Sequence, residues 1–140
     1  MPTVKVEFAA DVKAKAERLW DVLADVNSWT EWLETSYAKS IVTGSLNEGS
    51  TFSAELGGIK WNLSVTKAER SKKICWMGQR FGIKAVHEWE FFDEGEKTRV
   101  VTRERMSGWI LFLTYPVIKL RLSKYDEKWL ADLKSKAESL

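Results

Sequence analysis

TFSAELGGIKWNLSVTKAERSKKICWMGQRFGIKAVHEWEFFDEGEKTRVVTRERM, residues 51–106, decides the fold. It breaks into five segments in which apolar and polar side chains alternate, the period of a half-buried strand. Turn residues separate them: Gly57-Gly58, Arg70 to Lys73, Phe81-Gly82 and Asp93 to Glu96. Breaks at this spacing, about 8–12 residues apart, mark an antiparallel meander. If each turn closes a simple hairpin, Leu56 pairs with Ile59, Arg80 with Ile83 and Phe92 with Lys97. Successive side chains point to opposite faces, so these registers gather one set on a single face. That face carries Phe52, Ala54, Leu56, Trp61, Leu63, Val65, Ile74, Trp76, Gly78, Arg80, Ile83, Ala85, His87, Trp89 and Phe91, with Thr98, Val100, Thr102, Glu104 and Met106 from the last strand. The opposite face is polar, and it sets Glu90 against Arg99. A one-residue bulge would flip everything beyond it.

The flanks complete the pattern. Val4, Val6 and Phe8 alternate with Lys5 and Glu7 as a first strand. Asp11 is placed to cap a helix from about Val12 to Ala24, with an apolar stripe of Val12, Ala16, Leu19, Trp20 and Leu23. A short helical turn over Ser28–Leu33 carries Trp29 and Trp32, and a strand near Ala38–Thr43 precedes the Asn47-Glu48-Gly49 turn. From Trp109 to Leu140 the chain reads as helix, broken at Pro116. Beyond the break Ile118, Leu122, Tyr125, Trp129 and Leu133 form one stripe.

The bulk properties exclude several classes of function. The 140 residues suit one domain, 1–140, large enough for a core without metals or disulfides. A formal net charge of +2, with basic and acidic residues interspersed, argues against a nucleic-acid partner. One cysteine, Cys75, rules out an internal disulfide and fits a reducing compartment, and with no signal-peptide pattern the cytoplasm is the default. The longest apolar run, Trp109 to Ile118, is too short for a transmembrane segment. Oligomeric state is not legible. One His and one Cys build no typical zinc site, and no glycine-rich phosphate loop occurs, so neither metal nor cofactor is expected.

The order strand, helix, short helix, six further strands and long terminal helix resembles the helix-grip fold. The chain resembles the SRPBCC (START-like) superfamily, and within it the polyketide cyclase/dehydrase-like proteins. The likeness rests on Ala16 to Trp29 (AERLWDVLADVNSW) with Trp32, and on Leu56-Gly57-Gly58, Lys73 to Trp76, His87 to Phe91, Thr98-Arg99-Val100 and Met106-Ser107-Gly108. It implies an α+β domain: a seven-stranded curved antiparallel sheet wrapped around a long C-terminal helix, with two short helices after the first strand. Members bind lipids, sterols, plant hormones and polyketides, and some are enzymes, so the resemblance fixes architecture better than chemistry.

On the inner face the inferred register sets Trp76 beside His87 and His87 beside Thr102. One step toward the Phe81-Gly82 turn, Gly78 faces Ala85, which faces Glu104, and Arg80 follows. Two small residues would leave room where Arg80, His87, Thr102 and Glu104 converge. An apolar wall with a few polar groups at one pole is how small-molecule sites usually look. The candidate ligand-binding residues are therefore Trp61, Trp76, Gly78, Arg80, Ala85, His87, Trp89, Thr102, Glu104, Met106, Trp109 and Phe112. The ligand would be a small hydrophobic or aromatic molecule. If the protein is an enzyme of the cyclase or dehydratase kind, Glu104 or His87 is its acid/base and Arg80 an oxyanion or carboxylate clamp. The same residues also admit a bland reading: Arg80 and Glu104 as a mutually neutralising pair, His87 as a satisfied core histidine, the tryptophans as core filling. Trp109 to Phe112 would cap the core, gate the cavity between Gly108 and Pro116, or meet a protein or membrane.

Overall fold

The computed structural model describes residues 2–33, 38–42, 46–56 and 58–140, with side chains omitted at 38–42 and at 56. The elements are β1 (Thr3–Val12), α1 (Ala16–Ala24), a 3-10 turn (Val26–Ser28), α2 (Trp29–Trp32), β2 (Ala38–Val42), β3 (Thr51–Leu56), β4 (Ile59–Glu69), β5 (Lys73–Arg80), β6 (Ile83–Asp93), β7 (Thr98–Ser107) and α3 (Leu111–Glu138). Among the described residues the strands form one antiparallel sheet in the order β1-β7-β6-β5-β4-β3-β2. This α+β arrangement, an antiparallel sheet with a long C-terminal helix across it, is a helix-grip fold.

The meander follows the turn chemistry. Leu56 pairs with Ile59, Arg80 with Ile83, Trp76 with His87 and Gly78 with Ala85. The loop at Arg70 to Lys72 holds three residues, which alone would invert a face. A bulge at Thr66, between the Val65–Trp76 and Lys67–Cys75 pairs, restores the parity. Trp61, Leu63, Val65, Ile74 and Trp76 therefore all point inward and are buried.

Three details depart from the sequence reading. First, β1 runs on to Val12, paired along its whole length with β7, so Val12 is a strand residue and the helix begins at Ala16. Asp11 caps nothing; it lies in the strand, 3.6 Å from Arg99. Thr98 instead fastens the connection, donating its hydroxyl to the Ala14 carbonyl at 2.8 Å. Second, the β6–β7 loop is Glu94 to Lys97. Asp93 accepts a hydrogen bond from the Gly95 amide at 2.8 Å and pairs with Thr98, so the register differs by two residues from a Phe92–Lys97 pair. The faces survive but the partners change: Glu90 opposes Val101, and its carboxylate meets Arg103 at 3.1 Å rather than Arg99. Third, α3 is continuous through Pro116. Proline removes one early intrahelical donor, and the carbonyl it would have served belongs to the exposed Phe112, where water is available.

The core lies between sheet and helices in two clusters. The larger joins α1, α2 and the inner sheet face to Trp129, Leu130, Leu133 and Ala137 of α3. The smaller holds Val4, Val6, Leu111 and Leu122. On the far face Arg103 bridges Glu7, Glu88 and Glu90, tying β1, β7 and β6 together.

Candidate functional site

Between the two core clusters the packing is interrupted by a cavity of about 150 Å³. Its wall is Ile59, Trp61, Leu63, Trp76, Ala85, Met106, Ile118, Leu122 and Trp129, and its polar groups are His87, Glu104, Arg121, Tyr125 and Asp126. Strands β4 to β7 supply one side and α3 the other. Ile59 and Arg121 keep substantial exposure, so the cavity opens between the β3–β4 turn and the first half of α3. There the Arg121 guanidinium donates to the Tyr125 hydroxyl at 2.9 Å.

At the closed end three titratable groups meet. The two-residue change of register sets His87 directly across from Glu104, with Nδ1 3.5 Å from Oε1. On its other side His87 Nε2 lies 2.8 Å from Thr102 Oγ1, and the Thr102 hydroxyl donates to the Glu88 carbonyl at 3.2 Å. A hydroxyl has one proton, and a carbonyl can only accept. Thr102 therefore accepts from His87, which makes the neutral ring the Nε2–H tautomer and turns the Nδ1 lone pair toward Glu104. Burial pushes the His87 pKa down to about 3, so the ring is neutral at physiological pH.

Glu104 is hydrogen-bonded to Asp126, which α3 brings down between Leu122 and Trp129. Burial first, and the charge of Asp126 second, hold the Glu104 carboxyl well above the usual range. Asp126 is raised by burial to about 7, with its Glu104 hydrogen bond pulling the other way. Two carboxyls in an apolar wall thus share a proton beside a neutral imidazole. The nitrogen and carboxylate oxygens of His87, Glu104 and Asp126 all lie within 4.8 Å of one another, close enough to receive a small cation, although the shared proton already relieves the repulsion. Trp129 Nε1 is a buried donor without a partner, and Asp126 Oδ2 has none beyond what the Glu104 carboxyl supplies. Such an orphan costs about 1–3 kcal/mol.

The candidates from sequence divide accordingly. Trp61, Trp76, Ala85, His87, Glu104 and Met106 line the cavity. Thr102 stands behind His87 as its hydrogen-bond partner, and Trp89 stacks under the ring at 5.2 Å; neither reaches the space. Gly78 leaves no room. A Cβ there would lie 2.8 Å from Leu63 Cδ2, so the glycine lets β4 side chains close over β5. Arg80 is outside: it is exposed, donates to the Lys60 carbonyl at 2.9 Å and lies 4.6 Å from the Phe81 ring. Its strand position past Gly78 carries it beyond the covered part of the sheet, so it neither pairs with Glu104 nor clamps a ligand in the cavity. Trp109 and Phe112 are also outside, their rings 5.7 Å apart and both largely exposed. Gly108 is no free hinge, since a Cβ there would sit 2.3 Å from the Gly82 carbonyl oxygen.

The sequence reading missed Asp126, Arg121, Tyr125 and Trp129 as partners of the site. Asp126 had a signal. It occupies the helical stripe of Leu122, Trp129 and Leu133, where an acid is out of place unless something meets it.

Known proteins place this architecture. Nothing among curated proteins matches the sequence. Solved structures match its fold: the ZhuI aromatase/cyclase from Streptomyces sp. R1128 at 14% identity, covering 98% of this chain and 94% of that one, with a TM-score of 0.80. A START superfamily protein from Mycobacterium smegmatis matches at 16% identity, 96% and 97% coverage and a TM-score of 0.74. Norcoclaurine synthase from Thalictrum flavum matches at 8% identity, 97% and 94% coverage and a TM-score of 0.75. At such identities the likeness concerns the fold. Residues 3–138 match the family described as polyketide cyclase / dehydrase and lipid transport, and to that family this chain belongs.

Proposed function

We propose that the protein binds a small hydrophobic or aromatic molecule in the cavity between sheet and α3. The observation that carries this reading is a mainly apolar cavity whose closed end gathers His87, Glu104 and Asp126. Indole and aliphatic walls favour a flat apolar body. The Glu104 and Asp126 carboxyls at the closed end, one proton between them, suit a group that both donates and accepts, such as a hydroxyl. Size narrows the class. A cavity of roughly 150 Å³ takes up one benzene-sized ring, so the resting cavity suits a single-ring phenol or cyclic alcohol better than a folded multi-ring chain. Titration of the intrinsic tryptophan emission and of the melting temperature with phenols, matched hydrocarbons and longer lipids tests this. Phenols should bind more tightly than the matched hydrocarbons, and the preference should vanish in Asp126→Ala. If no compound in the set moves emission or melting temperature, the reading fails.

A second reading is favoured by the shared proton: a cyclase or dehydratase acting on a carbonyl compound. Asp126 or His87 Nδ1 would take a proton from the carbon next to one carbonyl, and that carbon would attack a second carbonyl of the same molecule, whose C=O π bond breaks as the Glu104 carboxyl protonates the oxygen to a hydroxyl. Removal of a second proton from the same carbon, with protonation of the hydroxyl, then expels water and leaves a C=C bond. Glu104→Gln should then cut turnover roughly 10²- to 10⁴-fold with affinity nearly unchanged. Unaltered turnover in that variant removes the mechanism.

A further inference from the structure

Beside the cavity mouth the surface is apolar to a degree that the fold does not require. Trp109 is 72% exposed, Phe112 65%, Leu113 89% and Phe81 65%, with Ile110, Val117 and Leu120 also exposed. On α3 the buried face is Leu111, Ile118 and Leu122, whereas Leu113, Val117 and Leu120 recur at i, i+4 and i+7 on the opposite side. This end of α3 is therefore apolar on two faces, of which only one packs against the sheet. Phe81 joins the patch because its turn touches Gly108.

The backbone gives an independent sign. Phe81 has φ +52, a left-handed conformation that bulky residues rarely adopt, followed by Gly82 at φ +74. Asn or Gly normally fills the first position of such a hairpin turn. Strain is accepted here to hold an aromatic ring in solvent.

Charge says what covers the patch. Between Glu104 and Asp126 the chain has no acidic residue but carries Arg105, Lys119, Arg121 and Lys124. Lys119, Arg121 and Lys124 are exposed on α3, and Arg80 flanks Phe81. A second copy on this face would bring the cations of this stretch against their own copies. A bilayer rich in anionic lipid offers the complement of both features, apolar depth for the rings and negative headgroups for the cations. No described helix is long and apolar enough to cross a membrane, so the contact is peripheral.

We infer that the rim formed by Phe81, Trp109–Leu113 and the outward stripe of α3 docks on anionic membrane surfaces, with the cavity mouth turned toward the lipid. The mouth lies beside this rim because Ile118 and Arg121, which line it, are chain neighbours of Val117 and Leu120 in α3.

Flotation of the purified protein with vesicles of phosphatidylcholine alone, and with added phosphatidylglycerol, tests the inference. The wild type should float with the anionic vesicles, less so at high salt, and remain below with neutral ones. Trp109→Ser combined with Leu113→Ser should abolish flotation while leaving the melting temperature unchanged, because both side chains are exposed. Lys119→Gln and Lys124→Gln should each weaken partition roughly fivefold. Phe81→Asn should raise the melting temperature and weaken partition together. The inference is overturned if the wild type ignores anionic vesicles, or if the serine pair floats as well as the wild type. It is equally overturned if light scattering shows a dimer that the serine pair dissolves, without flotation, which would assign the patch to self-association.

Discussion

Asp126 shows how one side chain can work against the fold that holds it. Its carboxyl is raised by burial from 3.8 to about 7. Above pH 3.8 the unfolded chain releases this proton, while the folded chain keeps it until about pH 7. The folded state thus binds more protons in that window, and stability falls as pH rises through it. His87 has the opposite sign. Lowered from 6.5 to about 3, it costs stability as pH falls through that range, because the unfolded chain takes a proton that the folded one refuses. Asp126→Asn removes the first effect, together with the part of the Glu104 shift that the Asp126 charge causes, which has the same sign, and leaves the His87 effect in place. The variant should melt higher than the wild type above pH 7, and the gap should close toward pH 4. A gap that is absent, or reversed in sign, across that range would show that Asp126 is not held in its raised state. Destabilising polar groups kept inside an apolar wall are a mark of sites rather than of cores.

The elements differ in how plainly the sequence announces them. Alternation and paired turn residues specify the sheet faces, and the parity holds even where a three-residue loop and the Thr66 bulge each break it, because the two breaks cancel. Pairing partners are less legible. Whether a hairpin closes on Phe92 or Asp93 depends on a side-chain-to-amide hydrogen bond within the loop, which alternation does not encode. That single step decides whether His87 faces Thr102 or Glu104, and with it the chemistry of the cavity. The start of α1 was obscured because Val12 fits a strand and a helix stripe equally well, and pairing with β7 decides it. Arg80 could not be excluded from the site without knowing where α3 stops covering β5. Asp126 was visible in the helical period, at the stripe position between Leu122 and Trp129, but alternation on the sheet does not say that Glu104 meets it. One close approach is legible only in three dimensions: the backbone contact between Gly108 and Gly82, which seats the end of β7 on the β5–β6 turn. Gly108→Ala should cost roughly 2–4 kcal/mol, read from chemical denaturation. A loss near zero would mean that the turn yields freely.

Across the whole molecule the tryptophans divide by task. Trp29, Trp76, Trp89 and Trp129 pack with Phe52 and His87 as one aromatic body, with Trp29 anchored by a 2.9 Å bond from its indole nitrogen to the Leu23 carbonyl. This body stiffens the closed end of the cavity, and the apolar rim lies at the open end. The chain thus combines a rigid floor, a small chamber and a greasy, cationic lip, an arrangement suited to taking a molecule from an interface. The single proton held between Glu104 and Asp126 has a calorimetric consequence. Any occupant that donates to Asp126, or brings a positive charge, alters how many hydrogen ions the chamber retains, so association and buffer ionisation become linked. Heats of association measured near neutrality should therefore differ between phosphate and Tris, and Asp126→Asn should make them coincide.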